Sequence, residues 1–459
     1  MYRNDTIAAI STPRGKGGVA LIRISGADAL AIASRCFYAK NGTDIAVIPP
    51  RRAVYGDILC RGGYRDSGLA VFYRSPASFT GEDTVEIMCH GGALITRRVL
   101  ESVLDAGARL AEAGEFSRRA LINGKLSLTE AEALSDLLSA STDAQLRIAS
   151  GNTRGRLDKE LSEIYNILAD TLSSLYAKID FPDEDLADMD AAGLIKAAAD
   201  VSLRVDRLIR SYEGTSCVRE GVPAVICGLP NTGKSSLYNA LAGEELAIVT
   251  DEAGTTRDVL SSELTVGNVL LCLSDTAGVR ETDGKVESIG VKRALEAMEQ
   301  AALMLCVFDS SRPLTDEDKE LARRAVSLKG KAVCVLNKCD MPNRSDIGFL
   351  RDTFGEVSEI SAKSGEGMDA LKTRIERLFL SDEIDLDGDV LLSGERQYGA
   401  AKNAKAYLDN ALTALRAGMP PDCAASDMEA ALGALGELDG RAVNEEVVAR
   451  IFANFCVGK

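Results

Sequence analysis

The sequence predicts a multidomain protein of α/β and α class, in which an α/β domain interrupts a helical domain behind an N-terminal α+β domain. The chain has 459 residues, more than one ordinary domain. Apolar runs of strand length alternate with helical stretches in the middle of the chain, and helical periodicity lies on both sides of them. Such an insertion is feasible because the termini of a domain often lie close together.

Residues 1–118 predict an α+β domain. Runs rich in β-forming residues are separated by clusters of Gly, Pro and Asp. These runs are Ile7–Ile10, Val19–Ile24, Val54–Leu59, Leu69–Tyr73 and Val85–Cys89. A helix is expected after His90-Gly91-Gly92, which we interpret as a tight turn without a catalytic role for His90.

Residues 119–220 change to helical periodicity. Leu and Ile recur at spacings of three and four residues over Leu157–Ile179, which predicts an amphipathic helix. Thr129 followed by Glu132 has the pattern of a capping box that opens an earlier helix. A further helix is expected over Leu194–Tyr212.

Residues 221–380 show the pattern of a parallel, doubly wound sheet, in which continuous apolar runs alternate with helical stretches. The runs are Ala224–Cys227, Val269–Leu273, Leu303–Phe308, Lys331–Leu336 and Val357–Ile360. Helical sequence resumes after residue 380, so residues 119–220 and 381–459 are expected to be the two parts of the interrupted helical domain.

Charge and cysteine content limit the environment and the partners. The net charge of −16 repels nucleic acid on average, so an RNA partner requires a local basic patch or a basic partner protein. The 11 cysteines include no Cys-x-x-Cys pair and His90 is the only histidine, so no Cys/His zinc site is expected. Neither a secretory leader nor a membrane span is predicted, and we expect a cytoplasmic protein with reduced thiols.

A phosphate-binding loop follows the first strand of the inserted domain. Gly228-Leu229-Pro230-Asn231-Thr232-Gly233-Lys234-Ser235 matches G-x-x-x-x-G-K-[ST] between a strand and a helix. Its glycines allow backbone N–H groups to surround phosphates. Lys234 is expected to reach the β- and γ-phosphates of a nucleotide, and Ser235 to bind Mg²⁺. The other predicted nucleotide contacts in this segment are Asn231, Thr232, Gly233 and Ser236.

Two segments beyond this loop predict contacts to the γ-phosphate and to magnesium. Strand Val269–Leu273 leads to Asp275-Thr276-Ala277-Gly278, in which the acid can hold magnesium through water and the Gly278 amide can meet the γ-phosphate. Earlier in the chain, Gly254-Thr255-Thr256-Arg257-Asp258 offers a threonine, by preference Thr256, to complete the magnesium shell in the triphosphate state.

Two further loops predict selectivity for guanine. Asn337-Lys338-Cys339-Asp340 follows a strand, and the Asp340 carboxylate can accept hydrogen bonds from the N1–H and 2-amino groups of guanine, which adenine lacks. Ser361-Ala362-Lys363 follows the next strand and is expected to close over the base. The order of these five elements predicts a Ras-like P-loop GTPase domain that binds GTP.

The predicted site lacks one residue of fast Ras-like enzymes. Those enzymes place a glutamine just after the Asp-x-x-Gly element, where it orients the attacking water. Val279 occupies this position here and cannot orient water. Hydrolysis is therefore expected to need a cation, a partner or a second GTPase domain.

Short motifs along the whole chain follow a recognisable order. They are Asp5–Ile10, Gly17–Gly26, Phe79–Asp83, His90–Gly92, Gly114–Ser117, Asn123–Lys125, Ile179–Pro182 and Phe455–Lys459. With the inserted GTPase motifs, this order resembles the tRNA-modification GTPases of the MnmE (TrmE) family. The Cys-x-Gly-Lys tail is among its most specific features, although the family usually has isoleucine where this chain has Val457.

The resemblance implies an activity and partners. The family acts as a homodimer with an FAD-containing partner, MnmG (GidA), in a heterotetramer. Together they add an aminomethyl or carboxymethylaminomethyl group to C5 of the wobble uridine of certain tRNAs. The N-terminal domain is implied to dimerise and to bind 5-formyl- or 5,10-methylene-tetrahydrofolate, the source of the one-carbon unit.

The resemblance also implies which residues contact the folate. The matching positions are Arg23, Glu82, Lys125 and Lys459. Three cations and one carboxylate suit a ligand with a glutamate tail and a pterin amide face. Each residue taken alone is better interpreted as part of a surface salt bridge.

For hydrolysis, the resemblance implies that potassium supports dimerisation of the GTPase domains. The matching ligands are Asn231, Thr250, Thr255 and the carbonyl of Glu252. Potassium beside the β–γ bridge can supply the charge that an arginine finger supplies elsewhere. Glu287 matches a carboxylate that orients the water network, the alternative being a solvated helix residue.

Cys456 is the candidate for the modification chemistry itself. A thiol beside Lys459 can act as a partly activated nucleophile or acid. The alternative is a buried cysteine that packs the last helix, and the family motif favours the functional interpretation.

Two classes of function follow from the sequence. The first is an enzyme for GTP-driven wobble uridine modification, which predicts folate binding and a functional Cys456. The alternative is a regulatory GTPase switch in ribosome assembly or signalling, which predicts neither and would be expected to carry a basic RNA-binding appendage.

Overall fold

The computed structural model describes residues 5–13, 15–180, 191–243, 261–274, 297–380, 385–453, 455, 457 and 458. The chain forms two compact units, each assembled from segments that are separate in sequence. The first unit contains Met1–Ser135, Asn152–Val201 and Gly399–Lys459, and the second contains Asp136–Gly151 and Ser202–Tyr398. The boundaries of the four predicted domains stay predictions, because these units group the chain differently.

The described strands and helices are labelled in chain order. The strands are β1 (Ile7–Ile10), β2 (Val19–Ser25), β3 (Phe37–Ala39), β4 (Val54–Cys60), β5 (Tyr64–Tyr73), β6 (Thr84–His90), β7 (Arg109–Leu110), β8 (Val222–Cys227), β9 (Ser261–Val266), β10 (Val269–Ser274), β11 (Leu303–Asp309), β12 (Lys331–Asn337) and β13 (Val357–Glu359). The helices are α1 (Ala29–Cys36), α2 (Ala93–Asp105), α3 (Glu115–Ile122), α4 (Leu128–Ser139), α5 (Asp143–Asn152), α6 (Arg156–Asp180), α7 (Ala191–Gly214), α8 (Ser216–Arg219), α9 (Lys234–Ala242), α10 (Asp316–Ser327), α11 (Ile347–Phe354), α12 (Met368–Phe379), α13 (Glu395–Arg416), α14 (Pro421–Asp439) and α15 (Glu445–Ala453).

The first unit contains a mixed sheet in the order β3-β4-β5-β6-β2-β1-β7, antiparallel except where β1 pairs with β7. Side chains alternate along β2, so that Ile22 and Ile24 enter a core with residues of α1 and α2. Arg23 and Ser25 therefore lie on the opposite face of the sheet. This alternation turns Arg23, one of the predicted folate contacts, away from the apolar core.

Helices form the rest of the first unit. Along α6, the predicted apolar periodicity appears as a buried stripe that includes Leu157, Leu161, Ile164 and Leu168, and α14 packs along this helix. After α15, Val457 forms an isolated antiparallel bridge to Ala113, which lies between β7 and α3.

The second unit contains a sheet in the order β13-β12-β11-β8-β10-β9. All its strand pairs are parallel except β9 with β10. One apolar cluster joins the sheet to α9 and α12, and another joins it to α10 and α11. The sheet is thus covered by helices on both sides, which confirms the predicted Ras-like, doubly wound α/β fold inserted between helical segments.

One predicted helix start is wrong. The capping box at the start of α4 uses Ser127 and Glu130, not Thr129 and Glu132. The Ser127 N–H donates to Glu130 Oε2 at 2.9 Å, and the Glu130 N–H donates to Ser127 Oγ at 3.0 Å. Thr129 already lies inside the helix, where its hydroxyl bonds to Asp158.

No helix within the described ranges has both the length and the apolar character that a membrane crossing requires.

Candidate functional site

The carboxyl ends of β8, β11 and β12 meet at one edge of the parallel sheet, and the phosphate-binding loop leaves β8 there. Gly233 directly precedes α9 and has a φ of 97°, a conformation that glycine adopts without strain. A Cβ at this position would overlap the Asn337 side-chain amide. Gly233 thus allows the loop to pack closely against β12.

Asn337 joins the phosphate-binding loop to the loop that was predicted to cover the base. Its Nδ2 donates to the Thr232 carbonyl at 3.0 Å, and its Oδ1 accepts from the Ala362 N–H at 3.0 Å. The side chain is buried, with 1% of the residue exposed. Both ends of one amide are therefore used to connect two predicted nucleotide contacts.

Lys338, directly after β12, connects the phosphate-binding loop to the end of β11. Its Nζ donates to the Asn231 carbonyl at 2.8 Å and lies 2.5 Å from Asp309 Oδ2. Burial raises the pKa of Asp309, but hydrogen bonds from Lys338 and Ser311 outweigh it and leave the pKa below its ordinary value. Asp309 was not predicted, although an acid at the end of an apolar strand, in register with Asn337, is a signal that could have identified it.

Lys234 lies folded over the phosphate-binding loop. Its Nζ donates to the carbonyls of Gly228 at 3.0 Å and Leu229 at 2.9 Å. Burial lowers the pKa of this ammonium group. Bonds to backbone carbonyls can be exchanged for bonds to phosphate oxygens without moving the helix, because only the flexible side chain has to turn.

The remaining predicted contacts of this region surround the same edge of the sheet. Asp340 and Lys363 are exposed, whereas Ser361 is fully buried, and its hydroxyl accepts from the Ser364 N–H at 3.2 Å. An exposed carboxylate beside a braced loop is free to accept hydrogen bonds from a ligand. Ser235 and Ser236 lie in the first turn of α9.

Several predicted site residues lie outside the described residues, and their predicted roles stay predictions. They are Thr250, Glu252, Thr255, Thr256, Asp275, Thr276, Ala277, Gly278, Glu287, Cys456 and Lys459. Among the residues that the structure describes, no group of three or more His, Cys, Asp or Glu side chains could hold a metal ion.

A second candidate site lies on the N-terminal sheet, where Arg23 pairs with Glu86 at 2.8 Å. The Arg23 guanidinium lies 5.2 Å from the ring centroid of Phe79 and 5.7 Å from that of Phe116. The side chain is 17% exposed. Arg23 is thus held between aromatic rings with part of its charge open to solvent.

Glu82 is fixed by a buried arginine that sequence reasoning missed. Arg119 Nη1 lies 3.2 Å from Glu82 Oε2, and Ser25 Oγ donates to the same oxygen at 2.7 Å. Arg119 also binds Asp5 at 2.7 Å and Glu115 at 3.0 Å, while only 4% of its side chain is exposed. The buried Arg119 guanidinium and the Ser25 hydroxyl thus fix the Glu82 carboxylate in one orientation.

Lys125 lies beside Glu82 in this site. A Cβ at Gly81 would lie 3.2 Å from Lys125 Cγ, so the lysine stem covers the loop that carries Glu82. The Asn123 amide donates to the Thr80 carbonyl of the same loop at 2.7 Å. The structure therefore brings three of the four predicted folate contacts to one loop.

The second unit combines a parallel sheet with a Gly-rich phosphate loop after β8. An Asn-Lys-x-Asp loop follows β12 and is hydrogen-bonded to the phosphate loop. Together these features define a P-loop GTPase domain. Comparison with known proteins then identifies the family. Residues 6–125 match the family described as GTP-binding protein TrmE N-terminus, and residues 128–456 match the MnmE helical domain.

Full-length relatives agree with these matches. The tRNA modification GTPase MnmE of Lacticaseibacillus paracasei is 39% identical over 99% of this chain and 98% of the relative. That of Symbiobacterium thermophilum is 42% identical over 99% of both. This chain belongs to the MnmE family of tRNA modification GTPases.

Among solved structures, the G domain of the T. maritima FeoB iron transporter is similar, with 25% identity and a TM-score of 0.26. The match covers 34% of this chain and 96% of the FeoB G domain.

Proposed function

We propose that the protein hydrolyses GTP as part of a complex that adds an aminomethyl or carboxymethylaminomethyl group to C5 of the tRNA wobble uridine. The observation that carries the GTPase part is the double hydrogen bonding of Asn337, which connects the phosphate-binding loop to the predicted base-covering loop. The proposed contacts to the phosphates and the proposed contacts to the guanine base therefore lie at a single edge of the sheet, as one nucleotide requires.

In this proposal Lys234 exchanges its carbonyl partners for phosphate oxygens, and Asp340 accepts the two donors of guanine. Ser235, Thr256 and Asp275 are the proposed magnesium contacts. The first turn of α9 places Ser235 directly after Lys234, which suits a hydroxyl ligand of Mg²⁺. Divalent magnesium would neutralise charge that develops on the phosphates.

We further propose that potassium, rather than an arginine finger, assists hydrolysis. Its proposed ligands are Asn231, Thr250, Thr255 and the Glu252 carbonyl. Asn231 has a φ of 65°, and its carbonyl is held by Lys338, so its backbone is braced independently of its side chain. Glu287 is the proposed carboxylate for the attacking water.

The N-terminal site fits a tetrahydrofolate. Glu82, oriented by Arg119 and Ser25, can accept from the donor groups of a pterin, and Arg23 and Lys125 can bind carboxylates. The proposed ligand is 5-formyl- or 5,10-methylene-tetrahydrofolate, with Lys459 as a further contact. The group would supply a one-carbon unit, and Cys456 is the proposed residue for the chemistry on the uridine.

We also propose a cytoplasmic homodimer that works with the FAD-dependent partner MnmG on tRNA. The alternative of a regulatory switch in ribosome assembly or signalling is not favoured, because the N-terminal match covers residues 6–125 and a GTPase switch has no need of that segment.

Purified protein tests the nucleotide part of the proposal. We expect magnesium-dependent GTP hydrolysis that is lost in Lys234→Ala. The control variant Lys329→Ala, at an exposed lysine just after α10, should hydrolyse GTP like the wild type. Hydrolysis that survives Lys234→Ala would contradict the site.

A further inference from the structure

Positive charge is concentrated at the N-terminal end of this acidic chain. Residues 1–125 contain 17 Lys and Arg against 12 Asp and Glu, whereas the whole chain contains 53 against 69. An excess of cations within a chain of net charge −16 marks this segment as the part that can attract an anion.

Three arginines of this segment, Arg51, Arg52 and Arg74, are here named the arginine cluster. All three are exposed, and within the described part of the chain none of them forms an ion pair. By contrast, Arg61 of the same segment is paired with Asp105 at 3.1 Å. Within the described part of the chain, no carboxylate pairs with these three guanidinium groups, so they are available to an anionic ligand.

The backbone fixes the position of the cluster. The Arg51 N–H donates to the Phe72 carbonyl at 2.7 Å, and its Nη2 donates to the Ala77 carbonyl at 3.4 Å. The Arg74 guanidinium lies 5.9 Å from the centroid of the Phe72 ring. Arg51 also has a φ of 63°, which is uncommon for a residue other than glycine. Both arginines are thus located at the end of β5.

This end of β5 adjoins the candidate folate site. Burial and the adjacent Glu86 raise the pKa of Tyr73, and the charges of Arg23 and Arg51 act on the same phenol in the opposite direction. Arg23 and Arg51 therefore lie within electrostatic reach of one side chain. The segment from Arg74 to Phe79 connects the cluster to the aromatic ring that Arg23 faces.

Exposure increases from the proposed pterin end towards the cluster. The Glu82 side chain is 12% exposed and that of Arg23 is 17% exposed, while the cluster lies on the surface. A ligand whose ring binds at Glu82 would extend its charged end outward. Because each γ-linked glutamate adds one carboxylate, a longer tail presents more partners for guanidinium groups.

We propose that the arginine cluster binds the polyglutamate tail of the folate, so that the protein prefers polyglutamylated over monoglutamylated tetrahydrofolate. This inference rests on the proposed folate function and names the form of the ligand.

The test compares full-length protein with 5-formyltetrahydrofolate in its monoglutamate and pentaglutamate forms by calorimetry at low salt. We expect the wild type to bind the pentaglutamate about tenfold more tightly, since several exposed ion pairs each contribute modestly. The triple variant R51Q/R52Q/R74Q should keep the monoglutamate affinity and lose most of the additional affinity for the pentaglutamate, which is the gain measured here. Arg97→Gln, an exposed arginine on α2, should retain the gain.

A second variant covers the case in which the substitution at Arg51, with its positive φ, disturbs folding. Arg74→Gln has no such backbone constraint and should lower the gain by about twofold to threefold. Raised salt should reduce the affinity advantage of the pentaglutamate in the wild type, and should weaken monoglutamate binding less.

The outcomes separate the inference from the function on which it rests. Equal affinity for the two forms would overturn the inference and leave the folate proposal standing. Absence of binding for both forms would contradict the folate proposal, and the inference with it. A triple variant that keeps the gain but binds tRNA more weakly would assign the cluster to RNA instead, and would also overturn the inference.

Discussion

Lys338 Nζ lies 2.5 Å from Asp309 Oδ2 and donates to the Asn231 carbonyl at 2.8 Å. One ammonium group thus connects the end of β11, the end of β12 and the phosphate-binding loop. Together with the two hydrogen bonds of Asn337, this contact braces the proposed nucleotide site.

Replacing Asn337 by alanine should break this brace. The change leaves the Thr232 carbonyl and the Ala362 N–H without their partner, and loss of a buried hydrogen-bond partner costs about 1–3 kcal/mol. We expect a lower melting temperature and GTP binding weakened at least tenfold, measured with a fluorescent nucleotide. Asn343→Ala, in an exposed loop, serves as the control. Unchanged affinity in Asn337→Ala would contradict the bracing role.

Replacing Asp340 by asparagine should change base selectivity. An amide can accept only one of the two guanine donors and presents a donor of its own. We expect weaker GTP binding and stronger binding of xanthosine triphosphate, which carries a carbonyl where guanine has its amino group. Competition between the two nucleotides measures this, and an unchanged preference for guanine would disprove the assignment of Asp340.

Potassium should accelerate GTP hydrolysis well beyond sodium at equal ionic strength. The reason is that Val279 stands where Ras-like enzymes have a water-orienting glutamine, while Asn231 is available in the phosphate-binding loop. The measurement is phosphate release in the two salts, with nucleotide affinity as the control. Equal rates would rule out the potassium proposal.

Acid should destabilise the N-terminal domain through Asp5. Its pKa is lowered from 3.8 to about 2, chiefly by the hydrogen bond from Arg109, with burial opposing and Arg119 assisting. Because the folded pKa is the lower one, this stabilisation is present above pH 3.8 and is lost as the pH falls towards about 2.

The difference in melting temperature between wild type and Asp5→Asn should therefore shrink between pH 5 and pH 2, since only the wild type loses an ionised carboxylate there. Asp28→Asn is the matched control, because Asp28 is exposed and makes no capping bond. A difference that stays constant over this pH range would contradict the role of Asp5.

Local sequence signals predicted most of the central strands and the phosphate-binding loop, because those signals depend on neighbouring residues. Strand β9 was missed because Ser261–Val266 is a partly polar edge strand that pairs antiparallel with β10. An edge strand of this kind lacks the continuous apolar run of a buried parallel strand.

Contacts between distant residues could not be predicted in this way. Arg119 is buried because Asp5, Glu82 and Glu115 converge on it, and two of those acids are far away in sequence. Asp309 likewise gains its role only when β11 pairs with β12. Both cases show that the side chains that hold a site in place depend on tertiary pairing, whereas the motif residues can be read locally.

The most direct test of the account is the content of wobble nucleosides in bulk tRNA, measured by mass spectrometry in cells that lack this gene. Cells complemented with the wild-type gene should contain aminomethyl-type uridines, while cells with an empty vector or with Lys234→Ala should lack them. If these nucleosides persist without the gene, the protein does not act in tRNA modification, and only the assignment of the GTPase site would remain.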